Sequence, residues 1–265
     1  MNLLVVYPGR FHPFHRGHLS SYEYLTKKYG ADNVYIATSD VQAPVTSPFS
    51  YSEKVEMMTR LGIAPGHIVK VRNPYQVKEI TDSLPDPDNT ALIYAVSAKD
   101  MDGDESRFKF GTKKNGDPSY MQPMPESLKK LQPLTKHAYV DVTPTINFKV
   151  RGVDANSASQ IRKLYIEGSD ADRDQIITDL YGNYYPELRD IFDKKLGLNE
   201  KMQGIIYGKE IVSGGDQEVS VMREHKQRLI KVLEQAQLLE RRVKEQHQPL
   251  NEDLREDYLV EKKTR

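Results

Sequence analysis

Apolar runs and polar gaps alternate along the first half of the chain. Residues 3–7 form a short apolar run closed by Pro8 and Gly9, the pattern of a strand buried on both faces. Residues 18–30 then place Leu19, Tyr22 and Leu25 on one helical face and stop at Gly30. A second strand is predicted over Val34–Thr38. A helix follows, with Ser52 as N-cap, Glu53 and Glu56 in its first turn, and Val55, Met58 and Leu61 as its apolar stripe. Residues 68–71 and 91–96 read as further strands, with a short helix over 77–84 between them.

Strands separated by helices of this length imply a parallel sheet with right-handed crossovers, an α/β, Rossmann-like doubly wound fold. In such sheets ligands bind beyond the carboxyl ends of the strands, where the strand order reverses. Residues 100–125 break the alternation. They are rich in Gly, Pro, Asp and Lys, with Phe108, Phe110 and Tyr120 among them, and read as a long loop or lid, either functional or a solvated insertion. Regular structure resumes with a strand over 138–142 and helices over 157–166, 170–180 and 186–196.

Beyond Gly214 the composition turns to Glu, Gln, Lys and Arg. Met222, Leu229, Leu233, Ala236 and Val243 recur at helical spacing, interrupted by Lys226 and Glu240. The expected organisation is a main domain over 1–198 and a helical C-terminal extension over 199–265. That extension would pack on the domain or on a second copy as a homo-oligomer.

Charge narrows the partners. Lys plus Arg and Asp plus Glu are both 38, so a balanced chain gives no reason to expect nucleic acid or an anionic membrane. There is no cysteine, which excludes disulfides and thiolate metal sites. No apolar run approaches the roughly 20 residues of a membrane span. The opening residues read as a strand, not a signal peptide. A cytoplasmic location is expected.

The chemistry concentrates in GRFHPFHRGH, Gly9 to His18, where His12, His15 and His18 stand three residues apart. Convergent imidazoles could bind zinc, but Pro13 and Gly17 oppose a helix across the span and no further ligand stands at standard spacing. The histidines could also be turn residues only. The third reading is phosphate. Gly9 would let the chain turn after the strand, and Gly17 would let a ligand approach the start of the helix. The first-turn N–H groups would receive an anion there, with the imidazoles donating and Arg10 or Arg16 adding charge.

These residues resemble the nucleotidyltransferase superfamily that carries a His-x-Gly-His motif, with His15, Gly17 and His18 at the motif positions. Among its members the stretch is most similar to archaeal-type nicotinamide-mononucleotide adenylyltransferases. SPFSYSEKVEMM (47–58) resembles a second segment of that group, with Lys54 in place of its Arg. NSASQIR (156–162) resembles its phosphate loop, with Ser157, Ser159 and Arg162 on the Ser, Thr and Arg positions. The resemblance covers roughly residues 1–196.

The resemblance implies transfer of a nucleoside monophosphate, AMP from ATP, to a phosphorylated acceptor such as nicotinamide mononucleotide, with release of pyrophosphate. It implies catalytic roles for His15, His18 and Arg162, and nucleotide contacts from Gly9, Arg10, Phe11, Gly17, Ser157 and Ser159. Asp100 is a further candidate, although the local SAKDMD lacks the family's glycine. Phe108, Phe110 or Tyr120 would stack on the acceptor in a chain without Trp. Mg²⁺ would be held mainly by the phosphates, so no protein metal site is expected. Cytidylyl transfer to a phosphorylated alcohol or sugar, and a non-catalytic nucleotide-binding regulatory or assembly role, are the alternatives.

Overall fold

The computed structural model describes residues 1–198, apart from 45, 102–107, 109, 145 and 156, together with 227 and 231. Apart from 227 and 231, the expected C-terminal helix lies outside the described residues, as does most of the first part of the 100–125 loop.

Five of the strands expected from the sequence form: β1 (Asn2–Pro8), β2 (Val34–Thr38), β3 (Ile68–Lys70), β4 (Thr90–Ser97) and β6 (Ala138–Thr143). A further strand, β5 (Met121–Pro123), closes the 100–125 segment. The six make one parallel sheet in the order β3-β2-β1-β4-β6-β5. The chain winds outward from β1 through β2 to β3, then returns to place β4 on the other side of β1. The order therefore reverses between β1 and β4.

The central strands are apolar throughout because both their faces are covered. Along β1, Val5 and Tyr7 enter one core while Leu4 and Val6 enter the other. Along β4, Ala91, Ile93 and Ala95 face the first core, and Leu92, Tyr94 and Val96 face the second. The first core is covered by α1 (Arg16–Tyr29), α2 (Tyr51–Arg60), α4 (Ala158–Glu167), α5 (Asp170–Tyr181) and α6 (Pro186–Lys195). The second is closed by the short α3 (Lys78–Thr81) through Ile80, and by Val71, Val77, Phe108 and Met121.

Polar clamps fix the helices. Lys28 Nζ donates to both Asp141 oxygens at 2.9 and 2.8 Å, and Tyr29 OH donates to the same carboxylate at 2.8 Å, tying the end of α1 to β6. Lys195 meets Glu53 at 3.1 Å and Arg60 meets Glu187 at 2.6 Å, tying α6 to α2. Arg189 of α6 binds Asp193 at 2.9 Å within its own helix and reaches Asp170 at 2.9 Å and Asp174 in α5.

The N-cap of α2 is Ser50, not Ser52. Ser50 Oγ accepts from Glu53 N, and the Glu53 carboxylate accepts from Ser50 N at 2.7 Å. Only from Ser50 does a glutamate fall at the third helical position and complete a capping box. Helix α1 likewise starts at Arg16, two residues earlier than the apolar stripe alone indicates. A small hairpin, β7 (Lys149–Val150) and β8 (Val153–Asp154), also forms between β6 and α4.

Candidate active site

A cleft of about 460 Å³ opens beyond the carboxyl ends of β1, β4 and β6, at the reversal of strand order. Tyr7, Ser97 and Thr143 mark those strand ends in its wall. Two helices begin there. Helix α1 opens after the histidine cluster, and α4 opens at Ser157, so the positive ends of two backbone dipoles share one cleft.

The loop leaving β1 is shaped by side chains as much as by glycine. The left-handed residue is Phe11, at φ 49°, while Gly9 keeps an ordinary φ. Gly9 is needed for another reason: a Cβ there would lie 2.4 Å from the Phe11 ring. Gly17 behaves similarly. A Cβ on it would meet His15 Cε1 at 2.9 Å and Phe148 Cβ at 3.1 Å. The space freed by Gly17 is thus occupied by the His15 ring and the Phe148 side chain, whereas the sequence suggests room for a ligand. His15 and Phe148 stack at 4.6 Å with planes 9° apart, and the His15 and His18 rings are centred 3.9 Å apart.

His15 is itself the N-cap of α1, its Nδ1 accepting from Gly17 N at 3.1 Å. That bond leaves the proton of the neutral ring on Nε2. Burial, aided by His18, holds the His15 pKa well below the usual histidine value. Burial lowers His18 to about 4, and His12 to about 3 with help from Lys54, Arg162 and Arg10. At neutral pH the three imidazoles are therefore uncharged donors, and the positive charge comes from Arg and Lys.

Arg162, from the first turns of α4, is 2% exposed. Its Nη1 donates to the backbone oxygen of His12 at 2.6 Å. Lys54 is fully buried, and its ammonium donates to Arg10 O at 3.1 Å, Thr38 Oγ1 at 3.2 Å and Ser39 O at 2.5 Å. Three donors meet three oxygens, so the loops after β1 and β2 are locked together. Burial brings the Lys54 pKa down to about 8. On the far side, Ser157 caps α4 by accepting from Gln160 N at 3.2 Å, and its hydroxyl lies 3.1 Å from that of Ser159.

The structure thus brings together His15, His18, Gly17, Arg10, Phe11, Ser157, Ser159 and Arg162, all of which line the cleft, with Gly9 supporting Phe11. Asp100 stands apart. Its carboxylate accepts from Ser97 N and Oγ at 3.2 and 2.7 Å and closes the turn after β4, where Ser97 and Ala98 face the cleft instead. The three proposed acceptor aromatics also lie elsewhere. Phe108 is buried against Tyr94 and Tyr75 in the second core, Tyr120 donates from its hydroxyl to Leu134 O at 2.6 Å, and Phe110 is 42% exposed. An aromatic that does line the cleft is Phe148, set in an irregular stretch with no periodicity to mark it. Arg16 points to a smaller neighbouring cavity shared with Lys149 and Asn147.

Among the described residues no cluster of three or more His, Cys, Asp or Glu side chains could hold a metal. The donor set of neutral imidazoles, hydroxyls and guanidinium groups suits phosphate oxygens, not a bare cation. No helix among the described residues is long and apolar enough to cross a membrane.

Residues 6–115 match the cytidylyltransferase-like family. Nicotinamide-nucleotide adenylyltransferase of Saccharolobus solfataricus is 38% identical over 53 residues, 20% of this chain and 31% of that protein. The enzyme of the same name from Sulfurisphaera tokodaii is 34% identical over 55 residues, 21% of this chain and 32% of that protein. The chain thus spans about a third of the length of these relatives. A bifunctional NMN adenylyltransferase/ADP ribose pyrophosphatase from Francisella tularensis, solved with AMP and a manganese ion, aligns with 78% of this chain and 52% of its own, at 15% identity and a TM-score of 0.43. The residues that match the family run from β1 into the 100–125 segment. The Ser157–Arg162 stretch of the cleft lies beyond the match.

Proposed function

We propose that the chain is a nucleotidyltransferase that transfers AMP from ATP to a phosphorylated acceptor of the nicotinamide mononucleotide type and releases pyrophosphate. The observation that carries this reading is the Arg162 contact with His12, which holds the start of α4 against the histidine loop so that two helix N-termini face one cleft. The partial likeness to the two archaeal enzymes supports the choice of acceptor.

The phosphate acceptor is ionised near neutral pH, so the reaction needs no strong base. Its oxygen forms a bond to the α-phosphorus of ATP as the bond to the β-phosphate bridging oxygen breaks, and pyrophosphate departs with that electron pair. The protein's part is placement and charge. His15, through Nε2–H, and His18 hold the α-phosphate region at the start of α1. Ser157, Ser159, Arg162 and the first N–H groups of α4 hold the β- and γ-phosphates, where negative charge grows. Arg10 adds charge from the loop after β1. Mg²⁺ brought with the nucleotide would supply charge neutralisation, and would be held by the nucleotide instead of a side-chain cluster among the described residues. Residues 1–198 make up the catalytic domain in this reading, acting in the cytoplasm.

The test is pyrophosphate release from the purified chain with ATP, CTP, GTP or UTP against nicotinamide mononucleotide and phosphorylated alcohols. Turnover with ATP and nicotinamide mononucleotide is expected. Turnover only with CTP and a phosphorylated alcohol would replace the reading with cytidylyl transfer. Nucleotide binding without pyrophosphate release for any pair would leave a binding protein.

A further inference from the structure

Of the three histidines in the loop after β1, His12 is the one that neither the motif nor the proposed reaction uses. It is 4% exposed and lines the cleft beside Arg10 and Arg162. Its Nδ1 accepts from the backbone N–H of Phe49 at 3.3 Å. A neutral ring bonded in that way carries its proton on Nε2. That Nε2 is buried and has no hydrogen-bond partner among the described residues. A buried donor left unpaired calls for an explanation, and a ligand is one of few. The charged side chains that bear on the ring are Lys54, Arg162 and Arg10, all cationic. A metal ion is a poor partner for a protonated nitrogen among three cations, whereas an anion suits it.

We propose that His12 is a third imidazole donor of the cleft, its Nε2–H binding a phosphate oxygen of the nucleotide. The identity of the anion rests on the nucleotidyltransferase reading; the donor does not. The backbone N–H of Phe49 thereby selects the tautomer that binds, so the segment before α2 sets the chemistry of a residue after β1.

Two variants of the full chain separate this role from a structural one. In His12→Asn the side-chain oxygen can replace Nδ1 and keep the Phe49 contact, but nothing reaches the Nε2 position. In His12→Gln the amide nitrogen can reach the Nε2 position, but the Phe49 contact is lost. Binding of inorganic tripolyphosphate with Mg²⁺ is measured by calorimetry, alongside thermal melting. His12→Asn should melt like the wild type and bind about 10-fold or more weaker, as expected for losing a hydrogen bond to a charged group. His12→Gln should melt lower and bind like the wild type. Equal binding by His12→Asn and the wild type overturns the proposal, as does a wild-type chain that does not bind tripolyphosphate. If His12→Asn melts lower, His12→Gln decides: retained binding supports the donor and lost binding overturns it. A wild type that binds tripolyphosphate in a His12-dependent way, yet releases no pyrophosphate with any nucleotide and acceptor, overturns the enzyme reading and leaves His12 in place.

Discussion

Arg162 and His12, 150 positions apart in sequence, are joined by a 2.6 Å hydrogen bond from a buried guanidinium to a backbone oxygen. One side chain thereby welds the second half of the cleft to the first. Arg162→Lys keeps the charge but not the planar fork, and an ammonium cannot hold the His12 oxygen and a phosphate in the same geometry. Turnover should fall by roughly 100- to 1000-fold, the usual loss for one donor to developing charge. Steady-state pyrophosphate release on a chain with an unchanged circular dichroism spectrum checks this.

The three buried imidazoles give stability a defined pH dependence. Their folded-state pKa values are lowered, to about 3 for His12, about 4 for His18 and well below normal for His15. The unfolded chain therefore binds more protons than the folded one below pH about 6.5. Their contribution is fully present above that pH and is lost as the pH falls toward 4 and then 3. Urea midpoints at pH 8, 6, 5 and 4 should show the decline, and His12→Asn should make it shallower.

Gly17→Ala should damage the site through packing. The added methyl would press on the His15 ring at 2.9 Å and on Phe148 at 3.1 Å. Overpacking of this kind costs about 1–3 kcal/mol, and here it displaces the ring that caps α1. Thermal melting and turnover should fall together. Unchanged turnover would mean that the His15–Phe148 stack is not part of the working site.

Lys54→Met removes the ammonium that joins Arg10 O, Thr38 Oγ1 and Ser39 O while keeping most of the apolar stem. Oxygens left without a donor in a buried place cost about 1–3 kcal/mol. Chemical denaturation should register that loss, and the Michaelis constant for ATP should rise as the loop carrying Arg10 loosens.

Much of this architecture was legible from residue pattern alone. β1 and β4 announce themselves because both faces of a central parallel strand are buried, so their sequences are apolar without interruption. The Ser157–Arg162 stretch could be tied to the histidine loop only through the family resemblance, since nothing local to either segment requires them to meet. β5 escaped notice because three residues ending in a proline carry no period, and its strand character comes from its partner β6. Phe148 and the contact between Phe49 N and His12 Nδ1 depend on chain segments brought together by the fold. Phe108 looked available in a polar loop, yet its ring is used to seal the second core.

The most direct test is a crystal structure of the full chain with a non-hydrolysable ATP analogue, Mg²⁺ and nicotinamide mononucleotide. The triphosphate should lie between the rings of His15 and His18 on one side and Ser157, Ser159 and Arg162 on the other, with the acceptor phosphate facing the α-phosphorus. A triphosphate bound away from Arg162, or a cleft that stays empty at saturating nucleotide, would contradict it.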